Sequence, residues 1–266
     1  MSRPYISLAT DFGAAYTGIC AGVVHRIAPD ARVHVLSDEI TPYAVAEGAM
    51  LLAQALPYLP VGVHVGIVDP GVGTARHPVG VRTGRGDVLV GPDNGLLAPA
   101  AAALGGALAA HRLEDPAYRL PEVSTSFHGR DVFAPAAAHL ANGADLADLG
   151  PATGLLPLDV PPPRAHEGTL ITSVLYADRY GSLILSAGPA ELGEIPHGTV
   201  LRVSWDGGGV RAPFVATFGS VAEGEPLLWI DSSGLLGLAV NRGSAAERFG
   251  LGAGAPVTVE GLGPHG

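Results

Sequence analysis

The stretch Val61-Gly62-Val63-His64-Val65-Gly66-Ile67-Val68-Asp69-Pro70-Gly71-Val72-Gly73-Thr74-Ala75-Arg76 reads as a buried strand that runs into a polar, glycine-rich turn. Valine or isoleucine at alternate positions, with small residues or His64 between them, suits a strand covered on both faces. Asp69 then falls at the carboxyl end of that strand, where open α/β sheets place their ligands. Upstream, strand-like and helix-like runs alternate: strand Tyr5 to Ala9, helix Tyr16 to Ile27, strand Arg32 to Leu36, helix Ala44 to Leu56. This alternation predicts a mostly parallel sheet with helices on both faces. Downstream, Pro78 to Thr83 and Asp87 to Val90 read as two short strands about the turn Gly84-Arg85-Gly86. Helix-like segments follow over Leu96 to Leu104 and Val132 to Ala141.

The pattern changes after Gly150. Pro151, Pro157 and the triplet Pro161-Pro162-Pro163 cannot sustain a helix or an inner strand, and they predict a stiff, extended linker over 151–168. Beyond it come short apolar runs, Thr169 to Tyr176, Ser182 to Leu185, Thr199 to Val203 and Leu227 to Ile230, separated by turns such as Asp206-Gly207-Gly208-Gly209. Short strands at close spacing predict a barrel or sandwich. The expected organisation is an α/β domain over 1–150 with a mostly parallel sheet, the linker, and a smaller all-β, barrel-like domain over 169–266.

Composition limits the partners. With 47% hydrophobic and 15% charged residues the chain has the makings of a buried core. A formal charge of -10 and the lack of any Lys/Arg cluster argue against nucleic acid or an anionic membrane as partner, and leave a cationic small molecule compatible. Cys20 is the only cysteine, so no intrachain disulfide forms, and its neighbours at helical spacing, Tyr16, Val23 and Val24, predict a buried apolar thiol. The Ala-rich run Leu97 to Ala110 is broken by Pro99 and Gly105-Gly106 and is too short to span a bilayer. Met1-Ser2-Arg3-Pro4-Tyr5 leads into a strand without a leader-like apolar segment, so the expected location is the cytoplasm.

Three segments offer chemistry: Thr10-Asp11-Phe12-Gly13, the turn carrying Asp69 and Arg76, and Ser126-Phe127-His128-Gly129-Arg130-Asp131. Each also has a plain structural reading. Asp11 suits an Asx turn or a helix N-cap, or else a carboxylate that accepts both hydroxyls of a ribose. Asp69 and Arg76 suit a structural ion pair with His128 an unrelated surface histidine, or else one polar group that positions and polarises a small reactant. Asp131 is well placed in a first helical turn, which favours a structural role for Arg130 and Asp131. Gly91-Pro92-Asp93-Asn94-Gly95 has the composition of any tight turn, with Asn94 a candidate support for the site. A metal-dependent phosphohydrolase using Asp11, Asp69, His128 and Asp131 finds no His-x-x-x-His or Asp-x-Asp spacing in its favour.

With Asp178-Arg179-Tyr180-Gly181-Ser182, Asp231-Ser232-Ser233-Gly234 and Val240-Asn241-Arg242-Gly243-Ser244, these motifs run in order from Thr10 to Ser244. In that order they resemble the S-adenosylmethionine hydroxide adenosyltransferases, relatives of the fluorinating and chlorinating enzymes. The resemblance implies hydrolysis of S-adenosyl-L-methionine to adenosine and L-methionine by water attack at ribose C5′, without metal or organic cofactor. It implies that Asp69, Arg76 and His128 hold and polarise the water, with His128 the candidate for carrying the proton away. Asp11 is implied to hold the ribose, Asp178 the substrate ammonium, Ser232 the methionine end and Asn241 the adenine side. Tyr180 and Ser182 stand where the family usually has Phe and Asn, and Ser233 where halogenating relatives have an arginine. Phe218 is a candidate for stacking on the base, although a barrel-core position suits it better. A homotrimer with sites between one subunit's first domain and its neighbour's second is also implied. The competing readings are a halogenase, against which Asp69 would repel the halide, and a non-catalytic adenosyl-ligand binder, which needs no Asp-Arg-His group.

Overall fold

A computed structural model of the chain describes residues 4–262, and the leader-free reading of Met1-Ser2-Arg3 lies outside them. Contacts divide the chain between Asp159 and Val160 into two compact units.

The first unit contains β1 (Tyr5–Thr10), α1 (Gly13–Ile27), β2 (Arg32–Ser37), α2 (Val45–Ala55), β3 (Val63–Ile67), β4 (Pro78–Thr83), β5 (Val88–Pro92), α3 (Ala98–Ala103), β6 (Ala107–Arg112) and α4 (Ala134–Ala141). Its sheet has the order β2-β1-β3-β5-β4-β6. β1 pairs in parallel with β2 and β3, and β3 with β5, whereas β4 runs antiparallel to both β5 and β6. The sheet is therefore mixed, with β4 alone reversed, because the short turn Gly84-Arg85-Gly86 folds β4 back onto β5 as a hairpin. β3 and β5 are buried along their whole length. One apolar cluster includes Val24 of α1, Ala137 of α4 and Phe133, and a second includes Leu52 of α2 and Ala100 of α3. These clusters cover the two faces of the sheet, as central parallel strands require.

Parallel strands bring their carboxyl ends to one edge, so Asp11 after β1 and Asp69 after β3 emerge on the same side. The opposite edge carries a buried polar chain. Ser7 Oγ lies 2.7 Å from His64 Nδ1, and His64 Nε2 lies 3.0 Å from Asp87 Oδ1. Arg85 Nε and Nη2 donate to the two Asp87 oxygens at 2.7 and 2.9 Å. Burial holds the His64 pKa below its ordinary value although Asp87 opposes the shift. A neutral imidazole that receives the Ser7 hydroxyl and donates to Asp87 explains how a histidine fits inside an apolar strand.

β6 occupies the Ala-rich run in which sequence periodicity gives no strand. Alanine has weak strand preference, and the segment pairs because β4 presents an edge to it, with register from Val79↔Arg112 to Thr83↔Ala107. Residues 151–158 are extended but tied down. Arg112 N donates to Pro151 O and Thr153 N to Ala110 O, each at 2.9 Å, and Leu155 and Leu158 pack against the second cluster.

The second unit contains β7 (Arg164–His166), β8 (Thr169–Ala177), β9 (Leu183–Leu185), α5 (Pro189–Leu192), β10 (Val200–Trp205), β11 (Gly208–Pro213), β12 (Pro226–Ile230), β13 (Leu236–Val240), α6 (Ala245–Phe249) and β14 (Pro256–Glu260). The antiparallel order is β11-β10-β14-β8-β9-β13-β12, with β7 added on β8. A bridge between Phe214 and Leu228 draws the two ends together, so the sheet nearly closes into a barrel around Leu170, Leu201, Val203, Leu228 and Leu238. Gly208 and Gly209, read from sequence as part of a turn, already belong to β11 and pair with Trp205 and Ser204. Among the described residues no helix is long and apolar enough to cross a membrane.

Candidate active site

The chain leaves β3 through Val68 and turns at once. Asn94 fixes this exit, its Nδ2 donating to Val68 O at 2.9 Å while its Oδ1 accepts from Leu96 N. The next turn closes through Val72 N to Asp69 O and Thr74 N to Gly71 O. That turn brings Arg76 back onto Asp69: Nε donates to Oδ1 at 3.0 Å and Nη2 donates to Oδ2. The two side chains are only 6% and 7% exposed, so this is a desolvated, two-point ion pair. Arg76 Nη2 also lies 3.3 Å from His128 Nδ1. A guanidinium only donates, so His128 Nδ1 accepts and the imidazole hydrogen sits on Nε2. Burial, then the Arg76 charge, hold the His128 pKa below its ordinary value. Arg76 Nη1 is buried with no hydrogen-bond partner among the described residues. Such a group calls for a small polar molecule.

His128 is brought to Arg76 by a loop that lies against the Asp69 turn. A Cβ on Gly73, whose φ is +75°, would stand 2.5 Å from Thr125 O, so only glycine allows the two loops to approach this closely. Gly129–Phe133 then forms a π-helical turn before α4.

Asp11 does not cap α1. The N-cap is Phe12, with no side-chain bond, and Asp11 Oδ2 instead accepts the backbone N–H of Tyr43 at 2.9 Å. Burial raises the Asp11 pKa, and the nearby Asp69 charge adds to the rise. Asp11, Tyr43, Asp69, Val72, Phe127 and His128 line a common cavity of about 100 Å³. The structure thus brings Asp11, Asp69, Arg76 and His128 together in the first unit.

In the second unit Tyr180, Ser182 and Asn241 line a pocket of about 500 Å³ with Phe218, Val240, Arg242 and Gly243. Tyr180 is 82% exposed and Phe218 packs on Trp229 at 4.8 Å, so each offers a ring face at the surface rather than a place in the barrel core. Asn241 is held by its Nδ2 donating to Val221 O at 2.9 Å. Asp178 and Ser232 are not among the lining residues. Asp178 Oδ1 accepts from Tyr180 N at 2.9 Å and Ser182 N at 2.8 Å, which shapes the turn beneath the pocket. Ser232 is exposed, and its neighbour Ser233 is tied by N and Oγ to Asp231.

Family models for the N-terminal and C-terminal domains of SAM hydroxide adenosyltransferases match residues 6–150 and 172–258. The chain belongs to that family. An (R)-S-adenosyl-L-methionine hydrolase from Salinispora tropica is 46% identical over 93% of this chain and 94% of its own. A fluorinase from an Actinoplanes species is 27% identical over 97% of both chains. The crystal structure of a conserved protein from Thermotoga maritima superposes with a TM-score of 0.86 at 29% identity, covering 96% of this chain and 100% of that one.

For a SAM hydroxide adenosyltransferase of this sequence, the residue that sequence reasoning missed is Tyr43. Its side chain is 74% exposed beside the cavity, and its backbone sits at φ +68°, a left-handed conformation that costs a non-glycine residue energy. Only the composition Thr41-Pro42-Tyr43 hints at a turn there. Among the described residues no group of three or more His, Cys, Asp or Glu is placed to hold a metal ion.

Proposed function

We propose that the chain hydrolyses S-adenosyl-L-methionine, or its (R) sulfonium epimer, to adenosine and L-methionine. The observation that carries this reading is the Asp69–Arg76–His128 cluster, with a buried donor on Arg76 that has no partner among the described residues, beside a cavity of about 100 Å³. In this reading the sulfonium nucleoside lies opposite that cluster. Water donates one hydrogen to Asp69, accepts one N–H from the Arg76–His128 pair, and directs its second lone pair at C5′. The new bond is O–C5′, the bond that breaks is C5′–S, and the sulfonium takes its electron pair away as a neutral thioether. A neutral leaving group needs neither a general acid nor a metal, so positioning and electrostatics supply the acceleration. One proton is released. With Nδ1 facing Arg76 and the hydrogen on Nε2, His128 rests as a donor, which makes Asp69 the first acceptor of that proton.

Asp11 accepts the ribose hydroxyls through the oxygen that Tyr43 leaves available. The rings of Tyr180 and Phe218, with Asn241, take the adenine, and Asp178, Ser182 and Ser232 serve the methionine end. The cavity lined by Asp11, Asp69 and His128 belongs to the first unit, and the pocket lined by Tyr180, Ser182 and Asn241 belongs to the second. A homotrimer that combines one subunit's first unit with its neighbour's second supplies a complete site. The reading includes a cytoplasmic location and no metal or organic cofactor.

Incubation with each sulfonium epimer in heavy-oxygen water tests the proposal. Adenosine labelled on its 5′-oxygen is the expected product, with chelator and added chloride without effect. Unlabelled adenosine, a 5′-halogenated nucleoside, or tight binding without product would overturn it.

A further inference from the structure

Asp131 stands three residues after His128 and is fully buried. A carboxylate that merely favoured a helix N-terminus would do so from the surface, without the desolvation that burial imposes. Its contacts run backwards instead. Arg130 Nε donates to Oδ1 at 2.6 Å and Arg130 Nη2 to Oδ2 at 3.0 Å, and Ser124 N donates to Oδ2 at 2.9 Å. Leu120 N donates to Asp131 O at 2.9 Å. The Arg130 guanidinium, so fixed, lies 5.2 Å from the centre of the Phe127 ring, and that ring meets Phe12 and Tyr16 edge-on at 5.8 and 5.5 Å. The loop before His128 is thus tied to the Asp131 carboxylate through Ser124 and the ring at 127 through Arg130, while the Asp131 main-chain carbonyl holds Leu120.

Building on the hydrolase reading, we infer that Asp131 is a positioning residue for the reaction, whose carboxylate staples the 124–128 loop to the start of α4 and so holds His128 Nδ1 against Arg76. It touches neither water nor substrate. The π-turn fits this role, since it stands between His128 and α4, and such turns recur at functional sites. Apart from the staple, the hydrogen bonds of the loop are the short Ser124–Ser126 contacts, Oγ to Oγ and Ser126 N to Ser124 Oγ, both at 3.2 Å, and the bond from Asp131 N to Phe127 O at 3.2 Å, while Phe127 packs on Phe12 and Tyr16.

The test compares Asp131→Asn with Asp87→Ala, which removes an equally buried carboxylate from the other edge of the sheet. Asp131→Asn is expected to lower kcat about 10²-fold, the scale of a roughly 1 Å misplacement, with KM within about threefold of wild type. Asp87→Ala is expected to lose stability and keep kcat. In ¹⁵N-histidine spectra the His128 signal, assigned by its absence in His128→Gln, should report the Nε2–H tautomer in wild type and Asp87→Ala, and a tautomer mixture in Asp131→Asn. If Asp131→Asn does not fold, Arg130→Lys removes the two-point clamp while keeping its charge and takes the same readouts. An unchanged His128 tautomer, or a kcat loss no larger than that of Asp87→Ala, would overturn the inference. Should wild type release no adenosine, the hydrolase reading falls while the tautomer comparison still decides the positioning.

Discussion

Asp69→Asn keeps the shape of the side chain and removes its charge, so it separates holding the water from holding the substrate. In the native cluster both carboxylate oxygens accept from Arg76, and the two side chains are 7% and 6% exposed. The amide has one acceptor and must turn its NH₂ toward the other guanidinium nitrogen, which loses one charge-assisted bond of about 1.5–3 kcal/mol. The Arg76 charge is also left without a counter-ion, and Nη1 is already unpartnered. Breaking one side of a buried pair in this way costs about 3–5 kcal/mol of stability in total. For a chain of this size that lowers the melting temperature by roughly 10 °C. Turnover should fall by about 10² to 10³, the cost of losing one preorganised electrostatic contact, while KM stays within about threefold because Asp11 and the second unit bind the substrate. The assay is adenosine release followed by chromatography at a temperature where the variant remains folded, with substrate affinity measured by calorimetry. Turnover within about tenfold of wild type, or a loss appearing in KM rather than kcat, would refute the assignment of Asp69 to the water.

The remaining predictions concern binding and stability. Asp11→Ala should weaken both substrate and adenosine by more than about tenfold, since each charge-assisted bond to the ribose is worth about 1.5–3 kcal/mol, whereas Asp178→Ala should weaken only the ligand carrying the methionine ammonium. Equal loss of adenosine affinity in both variants, seen by calorimetry, would show that the two ends of the ligand are misassigned. Asp87→Ala leaves His64 Nε2–H and Gly62 N–H without their acceptor and should lower stability by about 3–5 kcal/mol in urea titrations. Because the folded His64 pKa lies below its ordinary value of 6.5, the unfolded chain takes up the proton first, and stability should decline as the pH falls below about 6.5. Burial pushes the Asp87 pKa up, but bonds from Arg85, His64 and Gly62 outweigh it and leave the net value lowered, so a second decline follows at more acid pH. Urea midpoints that stay level from about pH 7 down to 4 would contradict the His64 shift, and midpoints that stay level from about pH 4 down to 2 would contradict the Asp87 shift.

Strands whose apolar pattern is their own were legible in the sequence, and those made by a neighbour were not. β1, β3 and α1 follow from hydrophobic periodicity, and Asp69 is placed by the strand before it. β6 has the composition of a helix and becomes a strand because the edge of β4 is there to pair with. The site divides in the same way. Asp11 looked as much like a helix cap as a ligand until Phe12 took the cap position and Tyr43, 32 residues away, took the carboxylate. Tyr43 carries no sequence signal beyond the turn-like Thr41-Pro42, because what marks it is a left-handed backbone angle and a bond to a distant residue. Asp131 was legible as a first-turn acid, yet its burial and its bond to Ser124 N depend on how the loop folds back.

The molecule holds two clusters of the same three residue types, one at each edge of the sheet, and composition alone cannot say which is chemical. Asp87, Arg85 and His64 are saturated: both imidazole nitrogens are engaged, Arg85 Nη1 reaches Pro57 O at 3.1 Å, and Gly62 N joins the carboxylate at 3.2 Å. Every side-chain nitrogen and oxygen of the three residues has a partner, and the group stiffens the sheet. Asp69, Arg76 and His128 are left incomplete. Among the described residues Arg76 Nη1 has no partner and His128 engages only Nδ1, and a small cavity opens beside them between glycine-rich turns. A buried donor kept unsatisfied destabilises the fold unless a bound molecule completes it, by about 1–3 kcal/mol for one group. That unsatisfied capacity, rather than the identity of the residues, distinguishes the edge proposed to react from the edge that only supports. On the same ground Asp87→Ala should lower stability and spare turnover, whereas Asp69→Asn should lower both.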